Sequence, residues 1–379
     1  MNEATRFLGL DVHAETIAVA LAEPGRGEVR SIGMIANEPT AIRKLIQKLG
    51  KKHLRVCYEA GPTGFALYWQ LAELGVECDV IAPTLIPKKP GDRIKTDRRD
   101  ALKLARCFRA GDLTPIWIPD QAHEALRDLV RAREAATYDQ HRARQRLSKF
   151  LLRTARKAPS GCSTWGTRYM EWIRSLHYEH VAQQATLTDY LAEVDHLTER
   201  IRRLDQAIDD AVKQASPSVQ AVIEGLQALR GVAKVSATTI AVEIGSFSRF
   251  ETAKQLMAYC GVVPSEHSSG NTRRQGAITK TGNAHVRRVL FESAWSCRHR
   301  PNLSVKLKER QRRASAATNE IALKAQHRLH RRYLALAARG KPSAKIVGAV
   351  GRELLGFIWA VAVQIEQEHA SKPKQKVAA

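Results

Sequence analysis

Four carboxylates and one serine-rich loop are the residues of this chain whose types and spacing suit work on a phosphodiester. Asp11 ends one apolar run and Glu59 ends another, while Asp97 and Asp100 stand three apart in Lys95-Thr-Asp-Arg-Arg-Asp-Ala101. Acids three apart at a helix start share one face. That pair has an ordinary explanation too, because Thr96 or Asp97 can cap the helix and acids in its first turn offset the dipole. Capping does not account for Asp11 and Glu59. Converging carboxylates repel by roughly 4 kcal/mol per pair at about 4 Å and an effective dielectric of about 20, so a cation must neutralise them. Arg98 and Arg99 point off the shared face. An all-oxygen set suits Mg²⁺ or Mn²⁺, and two such ions would polarise a phosphodiester and stabilise its attacking and leaving oxygens.

The second stretch is Gly261-Val-Val-Pro-Ser-Glu-His-Ser-Ser-Gly270, followed by Asn271-Thr-Arg-Arg-Gln-Gly276 and Ile278-Thr-Lys-Thr-Gly-Asn283. Arg273, Arg274 and Lys280 lie just after the serines, and Arg287 and Arg288 follow on a predicted helix. Glycines let a backbone approach a ligand closely, and hydroxyls with guanidinium groups suit phosphate. The same composition also suits an ordinary surface turn.

The elements that must position these residues follow from periodicity. Strands are expected at residues 6–12, 16–22, 28–35, 54–58 and 76–82, with helices at 39–49, 64–74 and 96–109. Three hairpin-connected strands followed by helix and strand in alternation give a mixed α/β sheet flanked by helices, the element order of a ribonuclease-H-like domain. Residues 121–156 read as a basic helix, either a solvated face or a phosphate-contacting one. Over residues 187–212, Leu187, Val194, Ile201 and Ile208 recur every seven, with Tyr190, Leu197, Leu204 and Ala211 three after each. That is a heptad pattern, expected to form a coiled coil joining subunits as a dimer or tetramer, with one long helix packed within its own chain as the alternative. Leu229-Arg-Gly-Val-Ala-Lys-Val resembles a helix-hairpin-helix with Ala233 at the usual second glycine, and equally suits a tight helix-helix corner. The remainder is an all-α, basic region.

Composition bounds the partners. The 379 residues carry 61 Lys and Arg against 38 Asp and Glu, a formal charge of +23, which calls for a polyanion such as DNA or RNA. Membrane surface is the competing polyanion. No membrane span is expected, since the most apolar stretch, 347–365, contains Arg352 and Glu353. Six cysteines without CxxC spacing fit a reduced, cytoplasmic protein.

The strand-borne Asp11, Tyr58-Glu-Ala-Gly-Pro-Thr-Gly64 and Lys95-Thr-Asp-Arg-Arg-Asp-Ala101 resemble the DEDD acids of insertion-sequence transposases related to the Piv DNA invertase. The hairpin, the Gly-Val-Val-Pro stretch, Ser268-Ser-Gly270 and Ile278-Thr-Lys-Thr-Gly282 resemble that family's second domain, so the likeness covers about residues 6–360. It implies a RuvC-like metal domain at 1–112, a basic helical linker at 113–213 and a transposase domain at 214–369, before a basic tail at 370–379. It implies a site-specific recombinase acting on DNA, and a structured non-coding guide RNA as partner. It also implies a serine nucleophile, which maps to Ser269, with Ser268 and Ser265 as neighbours and His267 and Glu266 as local candidate bases. The rival enzyme is a RuvC-like nuclease or junction resolvase in which metal-activated water attacks and no serine is needed. An actin-like ATPase would need a second sheet, and a plain nucleic-acid-binding protein would use the acids only structurally.

Overall fold

A computed structural model describes residues 5–87, 91, 96–270 and 272–371. Lys95, Asn271 and residues 372–379 of the expected tail lie outside the described residues. The chain divides into two units, Met1–Ile118 and Pro119–Ala379.

The first unit is built on strands β1 (Arg6–Val12), β2 (Thr16–Ala22), β3 (Val29–Ala36), β4 (Leu54–Glu59) and β5 (Glu77–Ile81), with helices α1 (Pro39–Leu49), α2 (Ala66–Glu73) and α3 (Asp97–Ala110). The sheet order is β3-β2-β1-β4-β5, with β1 antiparallel to β2 and parallel to β4. Side chains alternate across a strand, and that alternation sorts the helices. Leu8 and Leu10 of β1 and Val56 and Tyr58 of β4 pack with Ile42, Leu45, Leu67 and Leu71 of α1 and α2. Ala18, Ala20 and Ala22 of β2 meet Ala101 and Ala105 of α3 on the opposite face, where Cys57 of β4 meets Leu104 and Phe108. This unit runs past the expected boundary at 112, because Ile116 N–H donates to the Val80 carbonyl at 2.8 Å and Ala82 N–H to that of Thr114 at 3.1 Å, lengthening the sheet edge.

The second unit starts with α4 (Gln121–Arg153), α5 (Thr167–Ser175) and α6 (Val181–Gln214). Four positions of the α6 heptad stripe are buried within the chain. Leu187, Val194 and Leu197 are buried with Leu147, Phe150 and Leu151 near the end of α4, while Ile208 packs with Leu126 and Val130 near its start. The two helices are therefore an antiparallel pair within one chain, tied by Arg133 to Asp205 at 2.6 Å and by Arg146 to Glu193. Within one chain α4 thus covers the stripe at these four positions, as a helix packed intramolecularly would have it, while Ile201 and Leu204 remain half-buried.

The remaining elements are α7 (Pro217–Leu226), α8 (Lys234–Ile244), α9 (Ala253–Tyr259), the hairpin strands β6 (Pro264–Glu266) and β7 (Gln275–Ile278), α10 (Ala284–Ala294), α11 (Val305–Arg313), α12 (Ala316–Ala338) and α13 (Ser343–Ala370). The turn between α7 and α8 packs on α10 through Gly231, and Arg310 donates to the Val232 carbonyl at 2.7 Å. By length and composition α13 could cross a membrane, contrary to the expectation from Arg352 and Glu353. In the fold it is the central helix of this unit's core, with Val350, Leu354, Leu355, Ile358 and Val361 buried. Glu353 pairs with Arg328 and Arg332 of α12.

Candidate functional site

Asp11 and Glu59 lie on one face of the first sheet, and Asp97 and Asp100 of α3 come near Asp11. Asp11 shares strand parity with Gly9, and Glu59 with Cys57, so both lie on the side that α3 covers. Thr96 caps α3 by accepting from the Arg99 amide at 3.3 Å, which leaves Asp97 and Asp100 in its first turn. The capping explanation therefore holds for Thr96 and coexists with the approach of Asp97 and Asp100 to Asp11. Asp11 and Asp97 approach a third group, His13, whose Nε2 lies 3.4 Å from Asp11 Oδ2 and 3.4 Å from Asp97 Oδ1. Ligand atoms of Asp11, His13 and Asp97 all fall within 4.8 Å of one another. Glu59 is exposed and lines, with Asp11 and His13, a cavity of about 580 Å³.

Burial raises the Asp11 carboxyl above its ordinary value; His13 opposes this, and the charges of Asp100 and Asp97 add to it. A half-buried carboxyl crowded by two others is the environment a cation relieves, so these donors fit a divalent ion of the hard, oxygen-preferring kind. The sequence reading missed His13. Its signal was position: two residues past Asp11 along the strand direction, it falls on the same side.

The serine loop is a hairpin. The N–H and carbonyl of Ser269 exchange hydrogen bonds with Thr272 at 3.2 and 3.0 Å, closing its tip. Ser268 Oγ donates to Glu266 at 2.8 Å and accepts from the Arg274 amide at 3.3 Å. Ser265 is half-buried against Gly276. Ser269 is exposed, and its hydroxyl has no hydrogen bond among the described residues. Hydrogen bonds from Ser268 and Gln275, joined by Arg273, hold the Glu266 carboxyl below its ordinary range, so it is a weak base. His267 is exposed on the hairpin.

The hairpin is seated by backbone contact. A Cβ on Gly261 would lie 2.0 Å from the Thr281 carbonyl oxygen, and one on Gly282 would lie 1.9 Å from that of Tyr259. The two short motifs interlock there with no room for side chains. Lys280, between them, has φ 56°, a left-handed conformation uncommon outside glycine.

The expected phosphate-binding cations divide. Arg274 and Lys280 are exposed, and Arg273 pairs with Glu266 at 3.3 Å. Arg287 donates to the carbonyls of Cys260, Thr281 and Gly282 at 2.9–3.2 Å. Arg288 pairs with Glu134 at 2.7 Å and with Glu292 at 2.9 Å. Both are engaged inside the chain. Beside them Glu243, buried in α8, accepts two bonds from Arg131 at 2.7 and 2.9 Å and one from Asn283 at 2.6 Å. Asn283 also caps α10 by accepting from the Val286 amide at 3.0 Å.

A mixed five-stranded sheet in this order, with acids gathered beside its central parallel pair, is the architecture of ribonuclease-H-like enzymes that act on nucleic acids. Residues 8–155 match the profile of the IS110-type DEDD transposase, and residues 224–308 match that of the transposase IS116/IS110/IS902 family. The chain is 44% identical over 366 residues to the Sinorhizobium fredii protein y4qE, whose name is that of a transposase, covering 95% of this chain and 89% of that one. It is 31% identical to the transposase for insertion sequence element IS1533 of Leptospira borgpetersenii, over 89% of this chain and 99% of that one. With the pilin gene-inverting protein of Moraxella bovis it shares 28% identity over 55% of this chain and 54% of that one. The chain belongs to the IS110 family of DEDD transposases. It is thus an enzyme that cuts and rejoins DNA, and its family is divalent-metal dependent.

Proposed function

We propose that this transposase opens DNA with Ser269 as nucleophile, assisted by a divalent ion held by Asp11, Glu59, Asp97 and Asp100, with His13 beside them. The observation that carries the serine is the hairpin tip, where Ser269 alone of the three serines is both exposed and free of a hydrogen bond to its hydroxyl among the described residues. The ion, Mg²⁺ or Mn²⁺, would supply stabilisation of charge on the phosphoryl and leaving oxygens. Asp11 and Asp97 hold their carboxylates together across β1 and α3, while Arg274 and Lys280 offer charge to neighbouring phosphates. The serine oxygen bonds to phosphorus, the 3′ or 5′ oxygen of the broken strand leaves, and the serine proton passes to solvent or to His267. A structured RNA encoded beside the gene is the proposed guide, supported by the +23 charge and by the family likeness.

The deciding experiment is a trapping assay on cleaved DNA. Mass spectrometry should find a phosphodiester adduct on Ser269, and Ser269→Ala should bind DNA without forming one. An adduct on Ser265 or Ser268 reassigns the nucleophile. Cleavage with no adduct under any trapping condition establishes the water-using RuvC-like nuclease instead. Binding of the adjacent RNA no tighter than that of an unrelated RNA of equal length removes the guide.

A further inference from the structure

Beside β7 runs a groove of about 920 Å³ to which the chemistry above assigns no role. It is lined by β7, by Phe291 and Trp295 at and just past the end of α10, and by the first turns of α13. Three cations, Lys280, Lys345 and Arg352, line it without an ion pair among the described residues, and no described acid does. Trp295 is 40% exposed, a large indole left in water, with the Arg298 guanidinium 5.8 Å from its ring centroid.

Gly348 supplies an independent observation. Glycine inside a helix is destabilising relative to alanine, and a Cβ here would meet nothing within 4 Å. No close approach of the chain explains it. Ala344, Gly348 and Arg352 fall at intervals of four and share a face, so α13 offers the groove two small residues and then a cation. The left-handed Lys280, at the opposite wall, is the kind of backbone outlier found at ligand sites.

We propose that this groove binds an unpaired stretch of a DNA strand, one base stacking on Trp295 and flanking phosphates meeting Lys280, Lys345 and Arg352. Cations that track a backbone together with an aromatic platform are what single strands require. A duplex shows its phosphates but keeps its base faces stacked, and would leave the indole unused. The commitment to DNA rests on the serine reading above, because β7 belongs to the hairpin that carries Ser269 and the strand opened there would lie alongside.

The test is fluorescence anisotropy of the full chain with a labelled oligothymidylate of about 12 nucleotides, within the usual span of such sites, at fixed salt and beside a duplex of equal length. Trp295→Ala and Gly348→Leu should each weaken oligothymidylate binding about tenfold or more, with duplex affinity changed by less than about twofold. Trp295→Phe should recover most of the binding. Gly348→Leu fills the groove while keeping every cation and the indole, and leucine favours the helix, so its effect is not a folding defect. Unchanged oligothymidylate binding in both variants, or equal losses with duplex, overturns the proposal. Oligouridylate bound more tightly than oligothymidylate, and lost in the same variants, overturns the assignment to DNA. Ser269→Ala should bind like the unaltered protein, so absence of a serine adduct with the oligothymidylate site intact refutes the nucleophile and leaves the groove standing.

Discussion

Gly9 and Ala105 meet backbone to backbone: a Cβ on Gly9 would fall 2.4 Å from the Ala105 amide nitrogen and 2.6 Å from the Ala101 carbonyl oxygen. This contact sets how deeply α3 sits on β1, and so how near Asp97 comes to Asp11 and His13. Gly9→Ala should lift the helix, costing about 1–3 kcal/mol as overpacking does. A lower melting temperature together with loss of Mg²⁺-dependent cleavage is the expected pair of results, and full activity would show that the acids do not depend on this seat.

Asp11→Asn removes one of the crowded carboxylates. It should abolish cleavage while leaving the metal-free protein at least as stable, because the neutral side chain no longer repels Asp97 and Asp100. Mg²⁺ should raise the melting temperature of the unaltered protein by mass action and should not do so for the variant. A chelator should reverse the first shift. An equal Mg²⁺ response in both proteins places the ion elsewhere.

Val194 is buried between α6 and α4, whereas Ile201 is half-buried. Val194→Asp places a charge in an apolar seam at a cost of several kcal/mol, so it should lower the melting temperature sharply with no change in particle mass by light scattering. Ile201→Asp should be milder. Dissociation of an otherwise stable oligomer would instead restore the intersubunit reading.

Burial raises the Glu243 carboxyl, but hydrogen bonds from Arg131 and Asn283, with the Arg131 charge, outweigh it and hold the group below its ordinary 4.5. A depressed folded-state value means stability that is present above pH 4.5 and lost as pH falls through the folded value. Melting curves across that window should show acid destabilisation that is weaker in Glu243→Gln. Asn283→Ala should cost about 1–3 kcal/mol near neutrality, from the lost cap and the weakened network. Parallel pH profiles for Glu243→Gln and the unaltered protein count against this role.

The first unit was legible because its strands are short apolar runs bounded by turns, and Asp11 and Glu59 end two of them that this element order makes neighbours. His13 escaped because a histidine in a turn has no pattern of its own. The heptad stripe of α6 announced an apolar partner, but periodicity carries no information on whether that partner is another chain or α4. Likewise, the groups that hold Arg287 and Arg288, the loop carbonyls and Glu134, come near only in three dimensions, so the sequence showed the cations without their partners.

A helix of 33 residues is about 50 Å long, and α4 is braced along that length by α6. About a third of the way along α4, Arg131 and Glu134 anchor it to Glu243, His285 and Arg288; beyond its far end stands the aromatic group of Trp165, Tyr169, Trp172 and Tyr178. The pair is a lever arm. A tilt of about 5° at Arg131 carries the far end, about 33 Å away, roughly 3 Å, so a shift too small to break one ion pair beside the serine hairpin becomes, at the tip, a displacement a little short of one residue of extended chain.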